Sequence, residues 1–134
     1  MKDEILSIEL YNKAERITTT MEVIQVSENV FRATENDLFI EDLTVGTEFE
    51  TLINEVGKHE LVRIVKKSEF ITRQFLWPAN INIYSYKNWG DEIMKHGGFW
   101  QIDFGSVVTI NLPKDSTLNL DILFKEIGLN ISEL

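Results

Sequence analysis

A series of short alternating runs, each bounded by turn residues, most strongly constrains the fold of this chain. The run Ile17 to Val26 opens with three threonines and then alternates Met21 and Val23 with a glutamate. β-Branched side chains lose freedom in a helix and pack well on a pleated sheet. Similar runs, separated by turn residues, follow in Val30 to Thr34, Thr47 to Asn54 and Glu60 to Lys67. This pattern predicts antiparallel strands joined by hairpins, while Ile5 to Leu10 fits either a strand or one helical turn.

The strand signals of the second half are interrupted by prolines. Phe70 to Trp77 is predicted as a strand that ends before Pro78. Phe99 to Asp103 and Ser106 to Asn111 predict a hairpin across Phe104-Gly105, with Pro113 breaking the sheet. Between these strands the assignment stays open, because a strand or a poor helix fits Ile81, Ile83, Tyr84 and Tyr86.

Two helices are predicted in the same half. The first covers Asn88 to Met94, with acids near its positive N-terminal end and Gly97-Gly98 after it. The second covers Thr117 to Ile127, capped from Lys114 to Thr117 and followed by Gly128. On that helix Leu118, Ile122 and Leu123 are expected to line one face.

Length and composition indicate one folded domain. The chain has 134 residues, 43% hydrophobic residues and 14 aromatic side chains, which suffice for one ordinary core. We therefore predict a single α+β domain over residues 1–134, β-rich over 1–77 and α/β over 78–134.

Three stretches resemble a bacterial family, domain of unknown function 4265. They are Thr19 to Ile24 continuing into Val30 to Phe39, Leu43 to Thr47, and Gly97 to Pro113 with the helix that follows. The chain departs from that pattern at Thr47, where an Asp commonly follows the glycine, and in a longer segment around Phe70 to Asn88. The resemblance implies an N-terminal antiparallel small-barrel-like sheet followed by an α-β-β-α part. It implies no activity.

Cysteine is absent, which removes disulfides, thiolate zinc sites and a cysteine nucleophile from consideration. The opening residues carry acids where a secretory signal is basic, and no run approaches the roughly 18 apolar residues of a membrane span. These features predict a cytoplasmic protein that does not act on membranes.

Negative charge is concentrated in the first part of the chain. The net charge is −9, and all of the excess lies before residue 61. It is densest from Glu35 to Glu60, where Lys58 is the only base. An acidic face repels nucleic acid and attracts basic surfaces. Leu38-Phe39-Ile40, flanked by acids, would add an apolar anchor. The predicted partner-binding residues are Glu35, Asp37, Phe39, Glu41, Asp42, Glu48 and Glu50.

This reading makes the chain a non-catalytic domain that binds a basic protein partner, for example an immunity or inhibitor protein that neutralises a basic toxin or nuclease. Plain solubility explains the same charge excess. No phosphate-binding loop, dinucleotide fingerprint, nucleophile elbow or zinc-binding helix motif occurs. We therefore predict no catalytic residue, no cofactor and no metal.

Two alternatives stay open. In the first, a small metal-dependent hydrolase uses His59, Asp91, Glu92 and His96; Glu92 and His96 would share a helix face, whereas His59 and Glu60 point to opposite faces of a strand. Charge at the helix ends and an exposed turn histidine explain these residues as well. Asp103 and Asp115, considered as a carboxylate pair, fit hairpin and cap roles. In the second alternative, the aromatic stretch between Phe70 and Phe104 forms an oligomerisation face.

Overall fold

The fold is known from a computed structural model that describes residues 4–78, 83–126, 128 and 131–134, with the backbone alone over 83–87. It is α+β, as predicted. The chain divides into two compact units, Met1–Glu69 and Phe70–Leu134, called here the barrel unit and the sheet–helix unit. The strand Phe70–Leu76, which the sequence analysis grouped with the β-rich part, pairs inside the second unit.

The barrel unit is a five-stranded sheet closed on itself. Its strands, joined in chain order by antiparallel pairing, are β1 (Ile5–Asn12), β2 (Ile17–Ser27), β3 (Val30–Ala33), β4 (Glu48–Ile53) and β5 (His59–Lys66). The barrel closes where β5 pairs with β1 in parallel. Two register shifts against β4 leave Val62 and Val65 of β5 without a partner residue across the ladder. They are β-bulges, which bend and twist a strand.

The inward-facing residues of alternate strand positions form the barrel core. Leu10, Met21 and Val23 contribute its aliphatic part. Phe31 and Phe49 contribute the aromatic part, with ring centroids 6.1 Å apart. The period-two alternation of the sequence thus places its apolar residues on one face, and closing the sheet buries that face on itself.

The sheet–helix unit places two helices on one face of a four-stranded sheet. Its elements are β6 (Phe70–Leu76), α1 (Ile83–Lys95), β7 (Phe99–Asp103), β8 (Val107–Pro113), α2 (Leu120–Glu126) and β9 (Ser132–Glu133), with the strands in the order β7-β8-β6-β9. Val108, Ile110 and Leu112 of β8 form the floor of the core. Trp89 of α1 and Phe124 of α2 pack over it.

Both helices differ from their predicted bounds. α1 begins at Ile83, so Asp91 lies in its C-terminal half rather than near its positive end. Tertiary packing determines this helix, because Trp89 and Ile93 are fully buried against the sheet. Tyr84 and Tyr86 belong to this helix, and Ile81 lies outside the described residues.

α2 starts three residues later than predicted, because a turn at residues 114–115, in which Ser116 N donates to Pro113 O, and an irregular stretch at 116–119 precede it. The helix cap is Asn119, whose Oδ1 accepts from Ile122 N at 3.1 Å. The buried face consists of Leu120 and Phe124, and Ile122 is exposed. The predicted cap was therefore wrong, and so was Ile122 as a residue of the apolar face, whereas Leu118, just before the helix, and Leu123 pack partly buried against the core. Ile127 lies outside the described residues. Pro113, predicted to break the sheet after a strand ending at Asn111, is instead the last residue of β8 and pairs with Phe70.

Candidate functional site

The longest connection of the barrel, residues 34–47 between β3 and β4, carries four of the predicted partner-binding acids. Asp37 organises its first half: Oδ1 accepts from Phe39 N at 2.7 Å and from Ile40 N at 3.0 Å. Its Oδ2 accepts from Thr19 Oγ1 at 3.3 Å, and its backbone N donates to Leu43 O. A carboxylate that bonds the backbone two and three residues ahead fixes a turn. Asp37 thus shapes this loop.

The second half of the loop is anchored in the barrel. Leu43 is fully buried and joins the apolar core. Buried Asn36 accepts from Val45 N at 3.0 Å through its Oδ1. Thr47, also fully buried, accepts from Thr44 N and donates from Oγ1 to Asp42 O at 3.1 Å. Thr47 therefore fixes the loop backbone through its hydroxyl.

Between these two fixed halves the loop presents its tip to solvent. Phe39 leaves 41% of its surface exposed, and its carbonyl accepts from Asn12 Nδ2 at 3.2 Å. Glu41 and Asp42 are exposed, and neither forms an ion pair with another described residue. Asp42 has a φ of 67°, a left-handed conformation that Asp adopts more readily than most residues. We call Phe39, Glu41 and Asp42 the loop tip.

The remaining predicted acids are already in contact with other groups of the barrel unit. Glu35 accepts from Glu22 N at 3.3 Å. Glu48 faces Arg32 at 3.3 Å, and Glu50 faces Arg63 at 2.7 Å, both on neighbouring strands. Cation neighbours partly cancel the field of Glu48 and Glu50. The exposed, unneutralised charge of the predicted set is therefore concentrated at the loop tip.

The barrel unit also carries most of the chain's negative charge. Residues 1–69 contain fifteen acidic and eight basic side chains, whereas residues 70–134 contain seven and five. The net charges are thus −7 and −2. Because Arg63, Lys66 and Lys67 belong to the barrel unit, its excess is smaller than that of residues 1–60 alone.

His59 lies in β5, where it is partly buried, so its assignment as an exposed turn residue was wrong. Its Nδ1 is 2.7 Å from Thr51 Oγ1, and its ring meets Phe31 edge-on with centroids 5.2 Å apart. Burial lowers the pKa of His59. Glu60 instead accepts from Asn54 Nδ2 at 2.8 Å, so its carboxylate does not orient the imidazole.

Glu92 and His96, two residues of the hydrolase alternative, have structural contacts, and Asp91 is exposed. His96 Nδ1 donates to Glu92 O at 2.8 Å, at the end of α1. Glu92 also faces Lys95 at 3.5 Å. Over residues 4–78, 83–126, 128 and 131–134, no three histidine or acidic side chains gather where they could hold a metal ion.

The two aspartates considered as a carboxylate pair lie at opposite ends of β8. Asp103 precedes the hairpin opposite Val107, and its Oδ2 accepts from Gln101 Nε2 at 2.8 Å. Asp115 follows the other end of the strand, beyond Pro113. Six strand steps of about 3.3 Å put those ends roughly 20 Å apart, too far for paired catalysis.

One polar cluster was missed at the sequence level. Arg73 of β6 makes a two-pronged contact with Glu133 of β9, with both distances within 2.7–2.8 Å, and reaches Asp121 of α2 at 3.3 Å. Its guanidinium lies over the Phe75 ring at 5.1 Å. These partners are 48 and 60 residues away in the sequence, so no local pattern could have indicated them.

Two open clefts flank this cluster in the sheet–helix unit. One, of about 410 Å³, has Phe75 and Phe124 among its lining residues, and the other, of about 390 Å³, has Ile71, Leu118 and Lys114. Arg73 lines the second cleft, but its guanidinium N–H groups already donate to Glu133 and Asp121. Arg73 therefore offers no uncompensated charge to a ligand in that cleft.

Comparison with known proteins supports the fold and not an activity. No model of a protein family matches the chain, and no curated protein matches it, so the resemblance to domain of unknown function 4265 stays a prediction. A hypothetical protein from Neisseria gonorrhoeae has a similar crystal structure, with a TM-score of 0.56 at 15% identity. The alignment covers 100% of this chain and 94% of that one. Among the described residues, no helix has the length and apolarity needed to cross a bilayer.

Proposed function

We propose that this chain is a non-catalytic protein-binding domain whose loop tip docks on a basic surface of another protein. The observation that carries the proposal is a half-exposed aromatic ring, Phe39, beside two exposed carboxylates on a loop whose backbone is fixed on both sides. An apolar anchor inside a charged rim is the usual anatomy of a protein interface.

Preorganisation supports this role. Binding costs about 0.5–1.5 kcal/mol for each flexible side chain that becomes ordered, and ordering a mobile loop adds to this cost. Here the bonds from Asp37, Asn36 and Thr47 already hold the loop backbone in the free chain. Less of the free energy of contact between the loop tip and the partner is therefore lost to ordering the loop.

Charge supports the chemistry of the partner. The net charge of −7 on the barrel unit attracts cationic surfaces over about 10 Å at ordinary ionic strength. Glu41 and Asp42 would then contact lysine or arginine side chains directly. A basic toxin or nuclease neutralised by an acidic immunity or inhibitor protein is the partner class that fits, and a cytoplasmic location fits it too.

The experiment starts by identifying the partner and then tests the site. A photo-crosslinking amino acid at position 39 captures the partner in the producing cell, and calorimetry measures its affinity for the purified full chain. We expect Phe39→Ala to weaken binding by about 30-fold, as for a hot-spot residue worth about 2 kcal/mol. We expect the double variant Glu41→Gln/Asp42→Asn to slow association several-fold at low salt.

The matched control removes the same charge elsewhere on the barrel. Glu28→Gln/Glu55→Gln changes two exposed acids in other turns and should leave affinity within twofold. Asp37→Asn keeps an oxygen that can accept the loop bonds, so it separates loss of charge from loss of loop shape. Equal weakening by the control and the loop-tip variant, or a captured protein that is acidic, would contradict the proposal.

A further inference from the structure

The barrel closes at a short seam. β1 and β5 pair only through Leu10 with His59 and Tyr11 with Glu60, whereas β1 and β2 pair along the full length of β1. Every other strand junction of the barrel is antiparallel and follows a hairpin or a loop in the chain. The seam joins the first strand to the last, so no short connection holds the two strands together when it opens.

Polar contacts that are partly open to solvent flank the seam. Lys58 Nζ is 3.9 Å from Glu9 and donates to Thr18 Oγ1 at 3.0 Å. Lys13 lies 3.6 Å from Glu60. Solvent-exposed ion pairs of this kind contribute at most about 1 kcal/mol each. These contacts add little to the stability of the pairing between β1 and β5.

His59 is the titratable side chain on the inner side of this seam. Its ring contacts Thr51 of β4 and Phe31 of β3, and its backbone pairs with Leu10 of β1. Thr51 and Leu10 are almost completely buried. The imidazole forms no ion pair within the described part of the chain. Burial is the cause that lowers the pKa of His59.

The charged and titratable groups of the surrounding elements are engaged elsewhere. Glu60 of β5 and Lys58, just before β5, make the flanking contacts, and on β1 Glu9 faces Lys58. Arg32 of β3 pairs with Glu48 of β4, and Glu50 pairs with Arg63. Tyr11, paired with Glu60, lies on β1 at the same seam. None of these groups forms a bond that would compensate a positive charge on the imidazole.

We propose that this seam is an acid-sensitive clasp, in which protonation of His59 favours separation of β5 from β1. The closed barrel holds the ring against Phe31 and disfavours the cation, whereas the open seam exposes the ring to water, which solvates it. The open form thus binds the additional proton. Because a single proton is taken up, the open population rises by at most tenfold for each unit that the pH falls.

Hydrogen exchange measured by NMR on the full chain between pH 7.5 and 5 tests the clasp. After correction for intrinsic exchange rates, we expect the amides of residues 10–11 and 59–60 to lose protection up to tenfold per pH unit. The amides that pair β1 with β2 should keep theirs. Protection at the seam that does not change with pH would overturn the proposal. The proposal does not depend on the function proposed for the loop tip.

The chain has two histidines, which provides a matched control. His59→Gln should abolish the pH dependence at the seam, and His96→Gln, in the sheet–helix unit, should retain it. A pH dependence that survives in His59→Gln would contradict the clasp. If His59→Gln does not fold, titration of the His59 ring protons in the unmodified chain decides: a midpoint below 6.5 that coincides with shifts at Leu10 and Tyr11 supports the clasp. A midpoint at or above 6.5 refutes it.

Discussion

The two units of the chain bury their cores in different ways. The barrel unit closes one sheet on aliphatic side chains and two phenylalanines, and its longest loop inserts Leu43 into the core. The sheet–helix unit covers a four-stranded sheet with two helices, and Trp77, Trp89 and Phe124 dominate its core. The barrel thus depends on strand closure and loop hydrogen bonds, whereas the second unit depends on a few large rings. The barrel unit, whose core contains no tryptophan, carries the acidic loop that we propose binds a basic protein partner.

The largest expected effect is the loss of a central ring. Trp89 is fully buried, and its ring centroid is 5.2 Å from that of Trp77 and 5.1 Å from that of Trp100. Trp89→Ala should cost about 3–5 kcal/mol of unfolding free energy, measured by urea denaturation followed by circular dichroism. Ile122→Ala, at an exposed position on α2, should stay within about 0.5 kcal/mol. A cost below about 1 kcal/mol for Trp89→Ala would show that the sheet–helix unit does not depend on a few large rings.

A smaller effect is expected where backbone elements approach closely in the same unit. A Cβ at position 98 would lie 2.6 Å from the carbonyl oxygen of Asn111, an atom that cannot move away cheaply. Gly98→Ala should therefore cost about 1–3 kcal/mol by thermal denaturation. At Gly90 the Cβ would meet the Trp100 ring at 2.7 Å, but alanine gains up to about 1 kcal/mol of helix propensity there. Gly90→Ala should therefore lower stability less than Gly98→Ala. The reverse order would show that β8 can shift away from residue 98.

In the barrel the comparable experiment removes hydrogen bonds rather than volume. Thr47→Val keeps the shape of a fully buried residue and deletes its bonds to Thr44 N and Asp42 O. We expect a cost of about 1–2 kcal/mol and faster amide exchange across residues 42–44. Thr47→Ser, which retains the hydroxyl, should preserve the exchange pattern. If Thr47→Val leaves the loop protected, the loop is held by the apolar contact of Leu43 instead.

The smallest effect concerns the polar cluster around Arg73. Its hydrogen bond to Glu133 lowers the pKa of that carboxyl, so the pair stabilises β9 at neutral pH. The contribution is present above the ordinary pKa of a glutamate and is lost as the pH falls through the lowered value. Arg73→Gln should speed exchange of the Leu134 amide, which donates to Gln74 O, already at neutral pH. If the Leu134 amide exchanges equally fast in the variant and the unmodified chain, backbone pairing alone stabilises β9.

The strands of the barrel could be predicted because their signal is local. Alternation and turn residues located β2 and β4 to within about two residues, and hydrophobic residues at inward positions became the core. The helices were harder, since their bounds depend on partners. The start of α2 is determined by the turn at Pro113 and by Asn119, and the length of α1 by burial against the sheet.

The sequence indicated which residues belong to the candidate site, but not what each of them contacts. Charge counting indicated the acids of the 34–47 loop, but it could not distinguish Asp37, which bonds the backbone, from Glu41, which is exposed. Nor could it show that Glu48 and Glu50 meet arginines, because cross-strand neighbours are set by register. The distinction between a carboxylate that builds a loop and one that faces solvent is visible only in three dimensions.

We expect the two bulges of β5 to oppose edge-to-edge association of chains at high concentration. Beyond residue 60, β5 pairs with β4 on one edge, and the described pairing on its other edge is confined to His59 and Glu60. An extended, flat edge would be a template for intermolecular sheet growth. Val62 and Val65 interrupt the repeat, and Arg63 and Lys66 place charge on the strand. A cross-β fibril cannot propagate along such an edge without first straightening both kinks.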